Sequence, residues 1–131
     1  MRAENEIYAA LLRNDGPAAL TAASRLPDLQ LSWLLFAKGR AHLLLKDYAR
    51  AEQELRRVPS FERALGGHRA TRTRSPLRES LCHFYLAQVY EATAKREQAV
   101  NEYREFLSHF ENSRARLPQV AEARAALKRL L

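Results

Sequence analysis

Residues 36–58, FAKGRAHLLLKDYARAEQELRRV, and residues 84–106, FYLAQVYEATAKREQAVNEYREF, decide how this chain folds. Laid one on the other, Gly39, His42, Ala51, Leu55 and Val58 fall on Ala87, Tyr90, Ala99, Tyr103 and Phe106, each 48 positions later. Both sets advance in steps of three, nine, four and three residues. Phe36/Phe84, Glu54/Glu102 and Arg56/Arg104 are identical at the same offset. A helix–turn–helix unit explains the spacing: the small residues let two helices approach, and the large ones fill the groove beside them. A unit that recurs this way buries its apolar face by stacking on its neighbours. The expectation is a stacked helical array, a class that usually binds other proteins and does not catalyse reactions.

Working outward, the rest of the chain supports helix and little else. The 131 residues have the length of one domain with a modest core. Hydrophobic residues make up 47 %, which excludes a disordered chain. Four glycines and five prolines are few, and Ala, Leu, Arg and Glu dominate. The single cysteine, Cys82, excludes an internal disulfide and a multi-cysteine metal site, and a cytoplasmic location is expected. Near the start, Glu4 and Glu6 interrupt any apolar run, so no signal peptide is seen, and no segment is long and apolar enough to span a bilayer. The formal charge is +7, from 22 Lys and Arg against 15 Asp and Glu. That excess suits an acidic partner or nucleic acid. An arginine-rich genomic base composition explains it as well, and the interleaving of arginine with glutamate along predicted helices favours that plainer account.

The prolines punctuate the helices. Pro17, behind Asp15-Gly16, suits a first helical turn, as does Pro76 behind Ser75. Pro27 and Pro59 are expected to close helices, and Pro118 to open the last one. Apolar residues recur at three- and four-residue steps between these points, with no sustained two-residue alternation. The reading is all-α, with helices over about 3–14, 17–26, 30–45, 48–58, 77–93, 96–110 and 118–130. Short loops make consecutive helices antiparallel hairpins. Residues 59–76, PSFERALGGHRATRTRSP, read as a loop insertion with one helical turn at most, near Phe61 to Leu65.

The same residues resemble the tetratricopeptide repeat, a two-helix unit of about 34 residues. Ala87, Tyr90, Ala99, Tyr103 and Phe106 match its pattern, with Leu86 in the preceding apolar slot. Gly39, Ala51 and Leu55 match in the first copy, and Lys46-Asp47-Tyr48 looks like the turn between helices. Lys38 and His42 depart from it, standing where an apolar and an aromatic residue are expected. The insertion at 59–76 accounts for a repeat distance longer than the family's. Shifting back by 32 puts Ile7, Ala10, Ala19, Ala23 and Leu26 on the template as a degenerate unit. The resemblance implies a short right-handed α-solenoid of about seven helices: a degenerate hairpin over 3–27, a repeat over 30–58, the insertion, a repeat over 77–110, and a capping helix over 117–131. It also implies kinship with helical-repeat regions of bacterial signalling and regulatory proteins, which are often fused to kinases or DNA-binding domains.

Proteins of this family bind peptides on the concave face lined by the first helix of each unit. On that resemblance the partner-binding residues are Trp33, Phe36, Arg40, Leu43, Phe84, Tyr85 and Gln88. Aromatic and arginine side chains are common anchors of interfaces. Against this, Trp33 and Phe36 have a plainer use in packing against the N-terminal hairpin or the insertion. The lysine, asparagine and arginine set with which some members clamp a chaperone's C-terminal carboxylate is not reproduced. A second candidate is anion contact by Arg63, Arg69, Arg72, Arg74 and Arg78, since no acidic residue lies between Glu62 and Glu79. A solvated surface loop is the competing account. His42, His68, His83 and His109 are scattered, without zinc-ligand spacing, and no nucleophile–base pair or phosphate loop is present. The expectation is therefore a non-enzymatic module with no cofactor and no metal. Its partner is another protein or peptide, with nucleic acid or self-association as alternatives.

Overall fold

The computed structural model describes residues 2–26, 32–64, 76–110 and 117–131, with side chains over 5–26, 33–58, 80–110 and 117–131. Seven α-helices run through them: α1 (Arg2–Leu12), α2 (Gly16–Ser24), α3 (Ser32–Leu44), α4 (Tyr48–Ala64), α5 (Pro76–Ala92), α6 (Arg96–Ser108) and α7 (Pro118–Leu130). No strand occurs among the described residues. The fold is all-α and tetratricopeptide-like. The chain divides into two compact units, Met1–Ser75 and Pro76–Leu131.

In the first unit α1 pairs with α2, α2 with α3, α3 with α4, and α1 also touches α3. In the second, α5 pairs with α6 and α6 with α7. Each hairpin turns by one device. Asn14, Lys46 and Ala94 sit at φ of 57°, 62° and 62°, in the left-handed region. The residue after each donates its backbone N–H five residues back: Asp15 to Ala10 at 2.8 Å, Asp47 to His42 at 2.9 Å, and Lys95 to Tyr90 at 2.7 Å. The left-handed residue itself donates three back, to Leu11, Leu43 and Glu91. This bond pair closes the carbonyls of a finishing helix, and glycine is its usual left-handed residue. The following helix then begins at once. Asp15 caps it, its carboxylate accepting from the Ala18 N–H at 3.1 Å. Asp47 does the same for Arg50 at 3.4 Å. Lys95 stands at the equivalent place with no side-chain cap. Asn14 precedes Lys46 by 32 residues, the offset that the degenerate unit requires.

The repeated residues are the packing surface. Ala51, Leu55, Val58, Ala87, Ala99 and Phe106 are 0 % exposed, and Tyr90 and Tyr103 are 2 % exposed. Gly39 is buried where α3 meets α4: a Cβ there would stand 2.6 Å from Leu55 Cγ. Gly16 does likewise for α2, where a Cβ would lie 3.0 Å from the Ala41 carbonyl oxygen. Ile7, Ala10, Ala19 and Ala23, placed by the 32-residue shift, all lie in the core of the first unit, with Leu26 packed against it.

The structure corrects one boundary. Pro59 does not close α4, which continues to Ala64. A proline inside a helix removes one N–H bond and crowds the carbonyl four residues back. With the buried Ala51, Leu55 and Val58 holding the preceding turns, the helix runs past it. Residues 65–75, the rest of the expected insertion, lie outside the described residues.

Candidate functional site

The predicted contact residues lie on the first helix of each hairpin, α3 and α5, and their burial sorts them. On α3, Phe36 is buried, and the Arg40 guanidinium lies over its ring, 6.0 Å from the centroid. Trp33 is half-buried against the α1–α2–α3 core, its ring centroid 6.1 Å from that of Tyr8. Leu43 is half-buried. Trp33 is thus packed in part on the core of the first unit, and Phe36 is turned away from solvent.

On α5, Phe84 is 2 % exposed and belongs to an aromatic cluster. Its ring centroid is 5.2 Å from Tyr85, 5.3 Å from Phe106 and 6.0 Å from Tyr103. Tyr85 and Gln88 are half-buried. Phe84 and Gln88 border a cleft of about 370 Å³ together with Glu91, Tyr103, Glu122, Ala126 and Arg129. Here α7, packed on α6, closes the wall of the cleft opposite α5. Glu91 ties the walls together. Its Oε1 accepts from the Tyr103 hydroxyl at 2.8 Å, and its Oε2 pairs with Arg129 of α7. Burial and the neighbouring Glu91 push the Tyr103 phenol well above its usual range, so it stays a protonated donor. The cleft therefore offers an aromatic floor, an amide and a carboxylate–guanidinium rim.

A second grouping escaped the sequence reading. His83 of α5 lies beside His109, which ends α6, with ring centroids 5.6 Å apart and planes at 86°. His83 Nδ1 is 2.6 Å from Glu102 Oε2, and His109 Nε2 is 3.4 Å from Glu105 Oε1. Ser80 Oγ is hydrogen-bonded to His109 Nδ1. Spacing along the chain hides this group, because His83 and His109 are 26 residues apart. The hairpin reveals it: His83 stands eleven residues before Ala94 and Glu105 eleven after, so antiparallel pairing brings them level.

In the first unit, His42 Nδ1 and Glu54 Oε2 are buried without a hydrogen-bond partner. Burial holds the His42 imidazole below its usual range, and Asp47 and Glu54 oppose the shift only in part. The side chains of Arg63, Arg69, Arg72, Arg74 and Arg78, and all of His68, lie outside the described residues.

Paired helices joined by a repeated turn, with small residues at the crossings, define an α-helical repeat protein. Residues 82–113 match the family model of the tetratricopeptide repeat, so this stretch of the chain is similar to a tetratricopeptide repeat. The span begins at Cys82 and takes in the α5–α6 hairpin whose small and aromatic residues carried the pattern. No curated protein and no solved structure gives a significant match to the chain. Repeats of this family generally mediate protein–protein interaction and are typically non-catalytic. Among the described residues, no helix is long and apolar enough to cross a membrane.

Proposed function

We propose that this chain is a protein-interaction module whose first-helix faces receive a peptide or helix of a partner. The observation that carries the reading is the α5–α7 cleft, bordered by Gln88 and Glu91 on the first helix of the matched repeat. In the second unit the working surface is Tyr85, Gln88, Glu91 and Arg129; in the first, taken by itself, Arg40 and Leu43 on α3 are the candidates. Phe36 and Phe84 support these faces from beneath. The rim suits a ligand with both polar and charged groups: Arg129 offers donors to a carboxylate, and Glu91 and Glu122 accept from a basic side chain. Affinity would come from a few anchors in the cleft and not from its whole area. The single thiol, Cys82, is buried, which suits the proposed cytoplasmic setting.

The test is capture from a lysate of the source cells on the immobilised chain, beside an Arg40→Glu/Gln88→Glu variant. Both positions are only half-buried, so the variant is expected to keep the wild-type circular dichroism and melting temperature. Proteins retained by the wild type and lost by the folded variant support the site. Undiminished capture of the same proteins by the variant rejects it.

A further inference from the structure

We propose that His83, His109 and Glu105 form a site for a zinc-class divalent ion across the α5–α6 hairpin. The three offer one donor atom each, and these atoms lie within 4.8 Å of one another. Two imidazoles and a carboxylate are the ligand chemistry of zinc and its borderline neighbours, whereas magnesium and calcium prefer all-oxygen sites. The His109 Nε2 to Glu105 Oε1 separation of 3.4 Å already suits the ion. Two ligands about 2.1 Å from a tetrahedral zinc stand about 3.4 Å apart. The remaining contraction falls on side chains with room to turn, since Glu105 is 56 % exposed and the His109 side chain 32 %.

The surroundings prepare both rings. Ser80 Oγ engages His109 Nδ1, which turns Nε2 toward Glu105. Glu102 Oε2 lies 2.6 Å from His83 Nδ1. A carboxylate or hydroxyl on a ring nitrogen is how proteins fix the tautomer and orientation of a metal-ligating histidine. Three protein ligands leave a fourth position for water or for a donor from another molecule, unlike a closed structural site. Bound there, the ion ties the end of α6 to the middle of α5 and stabilises the matched repeat by mass action.

The experiment is isothermal titration of the full chain, free of any histidine tag, with zinc chloride at neutral pH. Melting curves with and without zinc, and with magnesium as a control, accompany it. The variants are His109→Ala and Glu105→Gln, both at exposed positions where the fold is expected to persist. The proposal expects one zinc per chain, a melting temperature that rises with zinc and not with magnesium, and affinity lowered at least tenfold in each variant. It is overturned by an absence of zinc binding to the wild type. It is equally overturned if either folded variant retains affinity within tenfold of the wild type, because the ion then sits elsewhere.

Discussion

Replacing Gly39 by alanine sets two large effects against each other, and the structure decides which wins. Alanine is better in a helix than glycine by about 1 kcal/mol, so propensity alone predicts a more stable protein. The added Cβ, however, would stand 2.6 Å from Leu55 Cγ and 2.7 Å from Leu55 Cδ2. Cγ is the branch point of the side chain, and Leu55 is 0 % exposed, so it has nowhere to swing. Overpacking of this kind costs about 1 to 3 kcal/mol. The net expectation is a loss of about 1 kcal/mol, which lowers the melting temperature by about 4 to 8 °C in a unit of this size. Thermal unfolding followed at 222 nm measures it. A double-mutant cycle makes the cause specific. Leu55→Ala alone costs about 2 to 5 kcal/mol by opening a cavity. In the Gly39→Ala/Leu55→Ala chain the new methyl enters that space, so the pair is more stable than the sum of the singles by about 1 to 3 kcal/mol. A Gly39→Ala variant that melts higher than the wild type, with zero coupling to Leu55, would refute the close approach of α3 and α4.

Three further outcomes follow from particular residues. Ala94 holds a left-handed φ of 62° that costs a Cβ-bearing residue about 1 kcal/mol, so Ala94→Gly should raise the stability of the second unit by that amount in a denaturant titration. Phe84→Ala should cost about 3 to 5 kcal/mol, whereas Gln88→Ala should change stability by no more than about 0.5 kcal/mol; equal losses would show that the aromatic cluster is not the core of its unit. The folded-state pKa of His42 lies below 6.5, so the unfolded chain takes up the proton first as pH falls. Its contribution to stability is therefore complete above that value and lost as pH falls through the folded pKa. Denaturation midpoints of the wild type should drop between about pH 7 and pH 5 more steeply than those of His42→Phe, and parallel profiles would show that His42 is not the titrating group.

The fold was legible because its signal is size at fixed spacing. Gly39, Ala51, Ala87 and Ala99 announce helix crossings whatever lies between them, and the structure buries every residue of the two aligned sets. The two helices of the first 26 residues were legible too, although alanine fits almost any template. Their turn at Asn14 repeats the backbone geometry of Lys46 and Ala94, a regularity of φ that side-chain identity does not display. Pro59 misled for the opposite reason. Its local cost is fixed, but the neighbouring buried turns of α4 outweigh it.

The site was less legible, and the reason is geometric. A helical face is read one helix at a time, and that view leaves open whether Phe36 and Phe84 face a partner or the core. Whether an aromatic ring faces a partner or the core depends on what stands across from it. Phe84 meets Tyr103 and Phe106, neither of which is near it in sequence. The same blindness hid the histidines. Scanning for ligands three or four apart assumes that one helix supplies them. Here α5 supplies one imidazole and the end of α6 the other, with Glu105 one turn before His109. Once Ala94 is known as the centre of the turn, residues equidistant from it can be paired directly. His83 then comes level with Glu105, and Ser80 falls within one residue of His109. In a repeat protein the chemistry is therefore to be sought across each hairpin, at positions mirrored about its turn. The packing pattern is found by translation from repeat to repeat. Positions that translation leaves unconstrained, as it leaves His83 and His109, are where one repeat is able to acquire a property that its neighbours lack.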